Sequence, residues 1–374
     1  MSSDDIQFRD ELAKRIQDGQ DLAGFDFRGR FLSGVRFYYR ESKGSDPIAP
    51  RLERADFRGA VLSNCDFLDG RLKGANFTGA DMRGSYLFGA DLQGAIFEGA
   101  FMDKCHLYGS DLTGACLNKA TCRDALISAC EMCEITMIGA DCRKTSFKDS
   151  KMTESNFAHT NFEGAYLEGA LFCSSRIRNA NFSDAVMFRS DLGKVDGRYA
   201  SFRGAILGKY DTEVGKYYGA NMGRGDFSGS DFRDAELVGV NLHAAIIIGC
   251  NFRGANLRGA NMYNVKIDEK TNLYEANLAK AKVKNIDFTK LRLGGANLFE
   301  TMIDLNEIPD SIWEERQGDF IQAWEAYMQL KNNFKSIGNK KGERWAGKKE
   351  RRLRGICMRL MNQAKQEKEK VLIK

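Results

Sequence analysis

The sequence predicts an all-β solenoid carrying a short N-terminal helical cap and a C-terminal α-helical hairpin. Three observations predict it: a large apolar residue returning every five positions, a near-absence of proline, and a change to helical spacing beyond Pro309. From Leu52 to Ile267 there are 44 positions in one five-residue phase, and 42 are apolar, the exceptions being Gly197 and Thr212. Two residues before each runs a second series, Pro50 to Val265, in which 38 of 44 are Ala, Ser, Cys, Thr or Gly. A period of five matches neither the 3.6 of a helix nor the 2 of a strand over any length. A coil stacked on itself carries it, with two side chains per unit directed inward and a turn where Gly recurs (Gly74, Gly79, Gly84).

Taken in order, residues 1–21 form the cap, in which Asp4 to Gly19 reads as a helix with Ile6, Leu12 and Ile16 facing in. A solenoid end exposes apolar core and unpaired strand edge, so capping is the economical role. Repeats then occupy 22–303, opening with Leu22, Phe27, Leu32 and Phe37 before the motif lapses in a loop at 38–51. An irregular corner spans 193–218 (GKVDGRY and GKYDTEVGKYY), where Lys194, Arg198, Tyr199, Lys209, Tyr210, Asp211, Lys216, Tyr217 and Tyr218 are expected to cluster. At 268–272 the phase slips by one residue and resumes at Leu273, which implies a bulge or one-residue insertion. The chain has 3 prolines, where average usage gives roughly nineteen. Pro47, Pro50 and Pro309 lie where the motif pauses, as a ladder built on backbone N–H groups requires.

Stretches such as ANFTGADMRGSYLFGADLQGA (75–95) and CNFRGANLRGANM (250–262) resemble the A(D/N)Lxx units of the pentapeptide-repeat family, and the resemblance covers roughly residues 22–303. It implies a right-handed quadrilateral parallel β-helix with four units per coil and the large residues stacked in its core. It also implies protein partners, since some members mimic duplex DNA and bind type II topoisomerases. Such mimicry needs an acidic rod. Here residues 1–300 hold 40 basic and 40 acidic side chains, and outward Arg58, Arg83, Arg123, Arg143 and Arg203 interrupt any phosphate-like pattern.

With four units per coil, outward residues twenty apart share a face. Three faces read as polar, one bearing Asn161, Asn181, Asn221, Asn241 and Asn261 with Ser201 among them, a stabilising amide ladder. The fourth shows Tyr86, His106, Leu126, Tyr166, Val186, Ile206 and Ile246 before the inward residue, and Leu68, Phe88, Tyr108, Phe188 and Ile248 after it. That is an apolar stripe about nine coils long, and monomeric proteins seldom leave such a patch in water. The C-terminal helices, a second copy forming a homodimer, and a different protein stand as its alternative covers. The expected partner-binding residues are Tyr86, Phe88, His106, Tyr108, Leu126, Tyr166, Phe188 and Ile206 on the stripe, Tyr210 and Tyr217 at the corner, and Lys348, Arg351, Arg352 and Arg354 in the tail.

The tail, 304–374, has helical spacing: Phe320, Trp324, Tyr327 and Phe334, a break at 336–339, then Leu353, Ile356, Cys357, Leu360, Met361 and Ala364. Residues 301–330 hold 1 basic and 7 acidic side chains, and 331–374 hold 15 and 4. The basic side of the second helix (Lys348, Lys349, Arg351, Arg352, Arg354, Arg359, Lys365, Lys368) suits an acidic protein, nucleic acid or an anionic membrane surface.

Chemistry finds little purchase. The three His (His106, His159, His243) point outward and lie far apart, and Cys65, Cys105, Cys122, Cys130, Cys142 and Cys250 occupy inward positions as small hydrophobes. The single CxxC places Cys130 inward and Cys133 outward, which defeats joint metal ligation. No catalytic, metal or cofactor residues and no small-molecule substrate are therefore expected. The sequence reads as a non-catalytic protein–protein interaction scaffold rather than an enzyme. With no signal-peptide core, no apolar run of about 20 residues and many free thiols, it reads as cytoplasmic.

Overall fold

One repeat accounts for every backbone N–H it contains. In residues 56–60, Asp56 donates to the Phe25 carbonyl of the preceding coil, Phe57 and Gly59 donate to Asn76 and Thr78 of the next, and Ala60 closes a turn onto Phe57. The remaining N–H, of Arg58, is taken by the Asp56 side chain. Proline at any of the five positions would delete a bond, which is the physical content of its scarcity. The third turn residue alone has positive φ, the type II signature. Gly59 sits there at 62°, and other units place Asn64 or Lys104 there at 56° and 59°.

The computed structural model describes residues 3–42 and 45–372, the side chains of 367–372 excepted. It divides into two compact units, Met1–Ile206 and Leu207–Lys374.

The first unit opens with α1 (Ser3–Gln17). Leu12 and Ile16 are buried, but Ile6 is exposed and Phe8 takes the inward place, 6.3 Å from both Phe25 and Phe27. Helical spacing explains the correction, because 8, 12 and 16 align at i+4. The first coil pairs with the next across a step of thirty residues (Asp26↔Asp56) because 38–50 is an insertion, tied by an antiparallel Tyr39↔Ile48 bridge. From Arg51 onward parallel bridges step by twenty in four columns: Arg51↔Arg71, Asp56↔Asn76, Val61↔Asp81 and Asp66↔Tyr86.

Inside, identical rings stack at the strand repeat. Phe57, Phe77 and Phe97 lie 4.8 and 4.9 Å apart, and Phe162, Phe182 and Phe202 lie 4.9 and 5.1 Å apart, nearly parallel. The small inward series also explains itself. Ser85 and Ser150 donate to the Leu62 and Ile127 carbonyls at 2.6 and 2.7 Å, and the Cys105 thiol reaches the Met82 carbonyl at 2.9 Å. A hydroxyl or thiol is thereby tolerated in a dry core.

The second unit keeps the same coil and breaks it three times. First, β1 (Ile206–Asp211) and β2 (Lys216–Gly219) form an antiparallel hairpin with Tyr210 opposite Tyr217, in a sheet of order β2-β1-β3 with β3 at Glu236–Leu237. Second, the ladder steps by twenty-one at Asn251↔Asn272, where the Asp268 carboxylate collects the N–H groups of Gly249, Lys270 and Thr271. Third, beyond β4 (Lys282–Val283) and β5 (Met302–Ile303), the coil gives way to α2 (Trp313–Arg316), α3 (Phe320–Ser336) and α4 (Lys340–Leu372). Amide ladders run through this unit, with Asn241 donating to Asn221 and Asn261 to Asn241 at 2.9 and 3.0 Å.

The coil of the second unit ends on side chains. Glu314 of α2, buried, accepts the N–H groups of Leu293 and Gly294 at 2.5 and 2.9 Å, in place of a further strand. Asn333 of α3 donates to the Thr301 carbonyl at 3.0 Å. Burial pushes the Glu314 carboxyl above its ordinary value, and the two N–H bonds act against that rise.

Two expectations change here. Residues 193–199 keep the regular turn, with Lys194 and Tyr199 at φ 58° and 60°, so the irregularity is confined to the hairpin. Residues 212 and 217, counted among the inward series, belong to that hairpin instead. Tyr217 lies over Gly239 and Gly259, where a Cβ would come within 2.4 and 2.9 Å of its side chain.

Candidate interaction surface

The outward residue before each inward one sits at a bridge, so its side chain is held at the strand spacing from the residue twenty positions away. On one column of the first unit this stacks Tyr86, His106 and Leu126, with Phe88 and Tyr108 beside them on the following turn residues. Tyr86 and His106 have ring centroids 4.9 Å apart, and Phe88 lies 6.2 Å from Tyr86 and 5.8 Å from His106. Tyr86, Tyr108 and Leu126 are 40, 56 and 44% exposed. Large apolar groups on consecutive rungs thus share one water-facing surface.

The stripe is not continuous. Its next rung is polar: Ser146 hydrogen-bonds Ser128 at 2.8 Å, and Lys148 pairs with Glu168 at 3.4 Å. A second, separate group follows, with Tyr166, Val186 and Ile206 bridged in sequence, Tyr166 54% exposed, and Phe188 half-buried. Ile246 and Ile248 belong to the second unit.

Sequence reasoning missed two exposed apolar residues off this column. Phe101, 49% exposed, lies in the column next to that of Tyr86 and His106, and Ile96, 36% exposed, lies in the column opposite theirs. The faces read as polar therefore include an apolar rung. Its signal was an apolar residue in the slot that elsewhere holds Asp or Asn.

That slot is structural. Asp26, Asp56, Asp81, Asp141 and Asp231 each grip the arginine two residues on, at 2.6 to 2.7 Å. The arginine holds the Asp56, Asp81 and Asp141 carboxyls below the usual carboxylate range.

Of the remaining candidates, Tyr210 and Tyr217 meet at 4.8 Å on the hairpin, with Arg258 over Tyr210 at 6.0 Å. Lys348, Arg351, Arg352 and Arg354 all lie on α4. Arg352 pairs with Glu315, Lys331 with Glu350 at 3.5 Å, and Lys349 donates to the Asp310 carbonyl, so part of the charge polarity is neutralised within the tail. The apolar side of the helical pair is filled by Tyr327, Leu330, Phe334, Leu353 and Cys357, whereas Leu360, Met361 and Ala364 are exposed, contrary to expectation. The Lys368 side chain lies outside the described residues.

Among the described residues, no three His, Cys, Asp or Glu side chains gather as a metal site, and no helix is long and apolar enough to cross a membrane. Burial pushes the Cys65, Cys130 and Cys250 thiols up to about 12, which keeps them un-ionised and unreactive.

Among solved structures, the chain is similar to HetL of the cyanobacterium Nostoc, a pentapeptide-repeat protein involved in heterocyst differentiation regulation (18% identity, 71% of this chain and 95% of that one, TM-score 0.22). It is similar to QnrB1, a plasmid-mediated fluoroquinolone resistance protein (20%, 57% and 96%, TM-score 0.33). A third is Rfr23 of the cyanobacterium Cyanothece (21%, 41% and 97%, TM-score 0.24). Superpositions this weak carry no argument of their own. No curated protein matches. The family description "Pentapeptide repeats" fits residues 51–87, 85–121, 150–187, 218–246 and 235–269, on the same five-residue units whose bonds close the coil, so these segments are pentapeptide repeats.

Proposed function

We propose that the protein is a non-catalytic interaction scaffold, and that a protein partner docks on the patch formed by Tyr86, Phe88, His106, Tyr108 and Leu126. One observation carries this reading: five large, mostly aromatic side chains face water together on a surface whose backbone is held rung by rung. Tyr and other aromatic anchors supply most of the energy in protein interfaces, at a low entropic cost when they are already ordered. We take the coil to be right-handed and four-sided, in keeping with its four bridge columns, and place the protein in the cytoplasm, where ten free cysteines are at home.

A topoisomerase-binding DNA mimic ranks second, because the carboxylates that would stand in for phosphates are gripped by their own arginines. The test is a pull-down from native lysate with wild type and a Tyr86→Asp/Tyr108→Asp variant, alongside sedimentation of both. A partner held by wild type and lost by the variant supports the reading. Equal retention by both, or a dimer that dissociates in the variant, removes the patch as a site for a different protein.

A further inference from the structure

Helix α4 outruns the helix it packs on. Its 33 residues span about 50 Å, against 17 residues and about 26 Å for α3. Phe334 lies against Gly342, Tyr327 against Trp345 at 5.5 Å, and the Cys357 thiol reaches the carbonyl of Phe320, the first residue of α3, at 3.3 Å. The seam stops there. About fifteen residues of α4 continue beyond it, roughly 22 Å of helix past the first residue of α3.

The apolar spacing does not stop. Leu353 and Cys357 are buried, and Leu360 and Ala364 continue the same i+3 and i+4 steps, with Met361 adjacent. Met358, Leu360 and Met361 are 55, 46 and 50% exposed. Residues 351–366 also hold five cations (Arg351, Arg352, Arg354, Arg359, Lys365) and no Asp or Glu, and in sequence 367–372 add Lys368 and Lys370 with Glu367 and Glu369. At 100° per residue, Arg354 and Lys365 border one edge of the arc containing Leu360, Met361 and Ala364, and Arg352 and Arg359 border the other. Arg352 is paired with Glu315. Arg351, Arg354 and Lys365 have no carboxylate partner among the described residues.

We propose that this overhanging part of α4 lies flat on an anionic lipid surface, with Leu360 and Met361 toward the acyl boundary and the flanking cations among the headgroups. Cations on both edges of an apolar arc are the arrangement such a surface selects. A second copy would bring ten cations together along the seam, and nucleic acid would engage the cations while leaving Leu360 and Met361 in water. A protein groove draws on aromatic anchors, and no aromatic residue follows Trp345. This inference is independent of the aromatic patch.

Flotation of the full chain with phosphatidylcholine vesicles, with and without about 30% phosphatidylserine, tests it. Binding is expected only to the anionic vesicles. Leu360→Asp/Met361→Asp and, separately, Arg354→Glu/Lys365→Glu should each weaken it by roughly ten-fold or more. These residues are exposed, and an unchanged melting curve for each variant confirms that the fold is intact. A milder Leu360→Ser/Met361→Ser pair serves if the first does not fold. Failure to bind either vesicle overturns the proposal, as does binding that survives loss of Leu360 and Met361. So does a concentration-dependent dimer abolished by the same variants, or tighter binding to duplex DNA than to the anionic vesicles.

Discussion

In the first unit, successive coils are joined by backbone; in the second, side chains take that role at the phase slip and at the coil's end. Asp56 to Ala60 bond to the coils on either side through main-chain groups, and only Arg58 needs a side chain. In the second unit Asp268 gathers three N–H groups at the phase slip, and Glu314 and Asn333 close the final coil. The difference teaches where each unit is fragile. Regular coils depend on what fills the core, and interrupted coils depend on single polar residues.

The largest expected loss is therefore a core residue of the first unit. Phe77 is stacked between Phe57 and Phe97 and fully buried, so Phe77→Ala should cost about 3–5 kcal/mol, read from chemical unfolding. A cost below about 1 kcal/mol would mean that neighbouring coils close the cavity, and the contrast with the second unit would weaken.

Next comes the side-chain cap. Glu314→Ala strands two buried N–H groups, at about 1–3 kcal/mol each, whereas Glu314→Gln keeps an acceptor for them. The two variants also differ in pH dependence. A carboxyl whose folded pKa is raised contributes fully below its unfolded value and loses that contribution as pH rises through the folded one. Glu314→Gln should thus remove a decline in stability on going from acid toward neutral pH. An unchanged pH profile would show that Glu314 is not the group responsible for such a decline.

Glycines give a finer comparison. Gly79 at φ 65° faces open space, so Gly79→Ala should cost only the left-handed backbone, about 1–2 kcal/mol. Gly239 has nearly the same φ, 67°, but its Cβ would lie 2.4 Å from the Cβ of Tyr217. Gly239→Ala should cost more than Gly79→Ala, and Tyr217→Gly should recover the excess in a double-mutant cycle. Additive costs would mean that the hairpin does not rest on Gly239.

Much of this was legible beforehand because a period of five leaves one solution, and the inward Phe, Ala, Ser and Cys followed from it. The interruption near 208–218 was legible as an irregular corner, but its hairpin form was not, because Leu207 and Met222 are fifteen residues apart, a multiple of five, so the detour keeps the phase and Tyr217 also falls in the inward series. The aromatic stripe looked longer than it is because its apolar members were noticed and Ser146, Lys148 and Glu168 were not. The overhang of α4 was invisible for another reason. Helical spacing says which side is apolar, and nothing about how far the partner helix extends.

The smallest effect separates two roles of one aspartate. Asp56 accepts the backbone N–H of Arg58 at 3.1 Å and also holds its guanidinium at 2.7 Å, on a largely solvent-exposed face. Arg58→Ala removes only the ion pair and should cost less than about 1 kcal/mol. Asp56→Ala also leaves an N–H of the repeat without its acceptor, so it should cost more, and Asp56→Asn should restore most of the difference because Asn76 serves its own unit in the same way. The Asp56 carboxyl is held low by Arg58, so its contribution is present above the ordinary carboxylate range and is lost as pH falls through the depressed folded value. Asp56→Asn should flatten that acid limb while keeping the coil intact. If Arg58→Ala proves as costly as Asp56→Ala, the ion pair and not the turn bond is what the slot supplies, and the arginine-gripped carboxylates are stabilising pairs rather than turn acceptors whose charge happens to be neutralised.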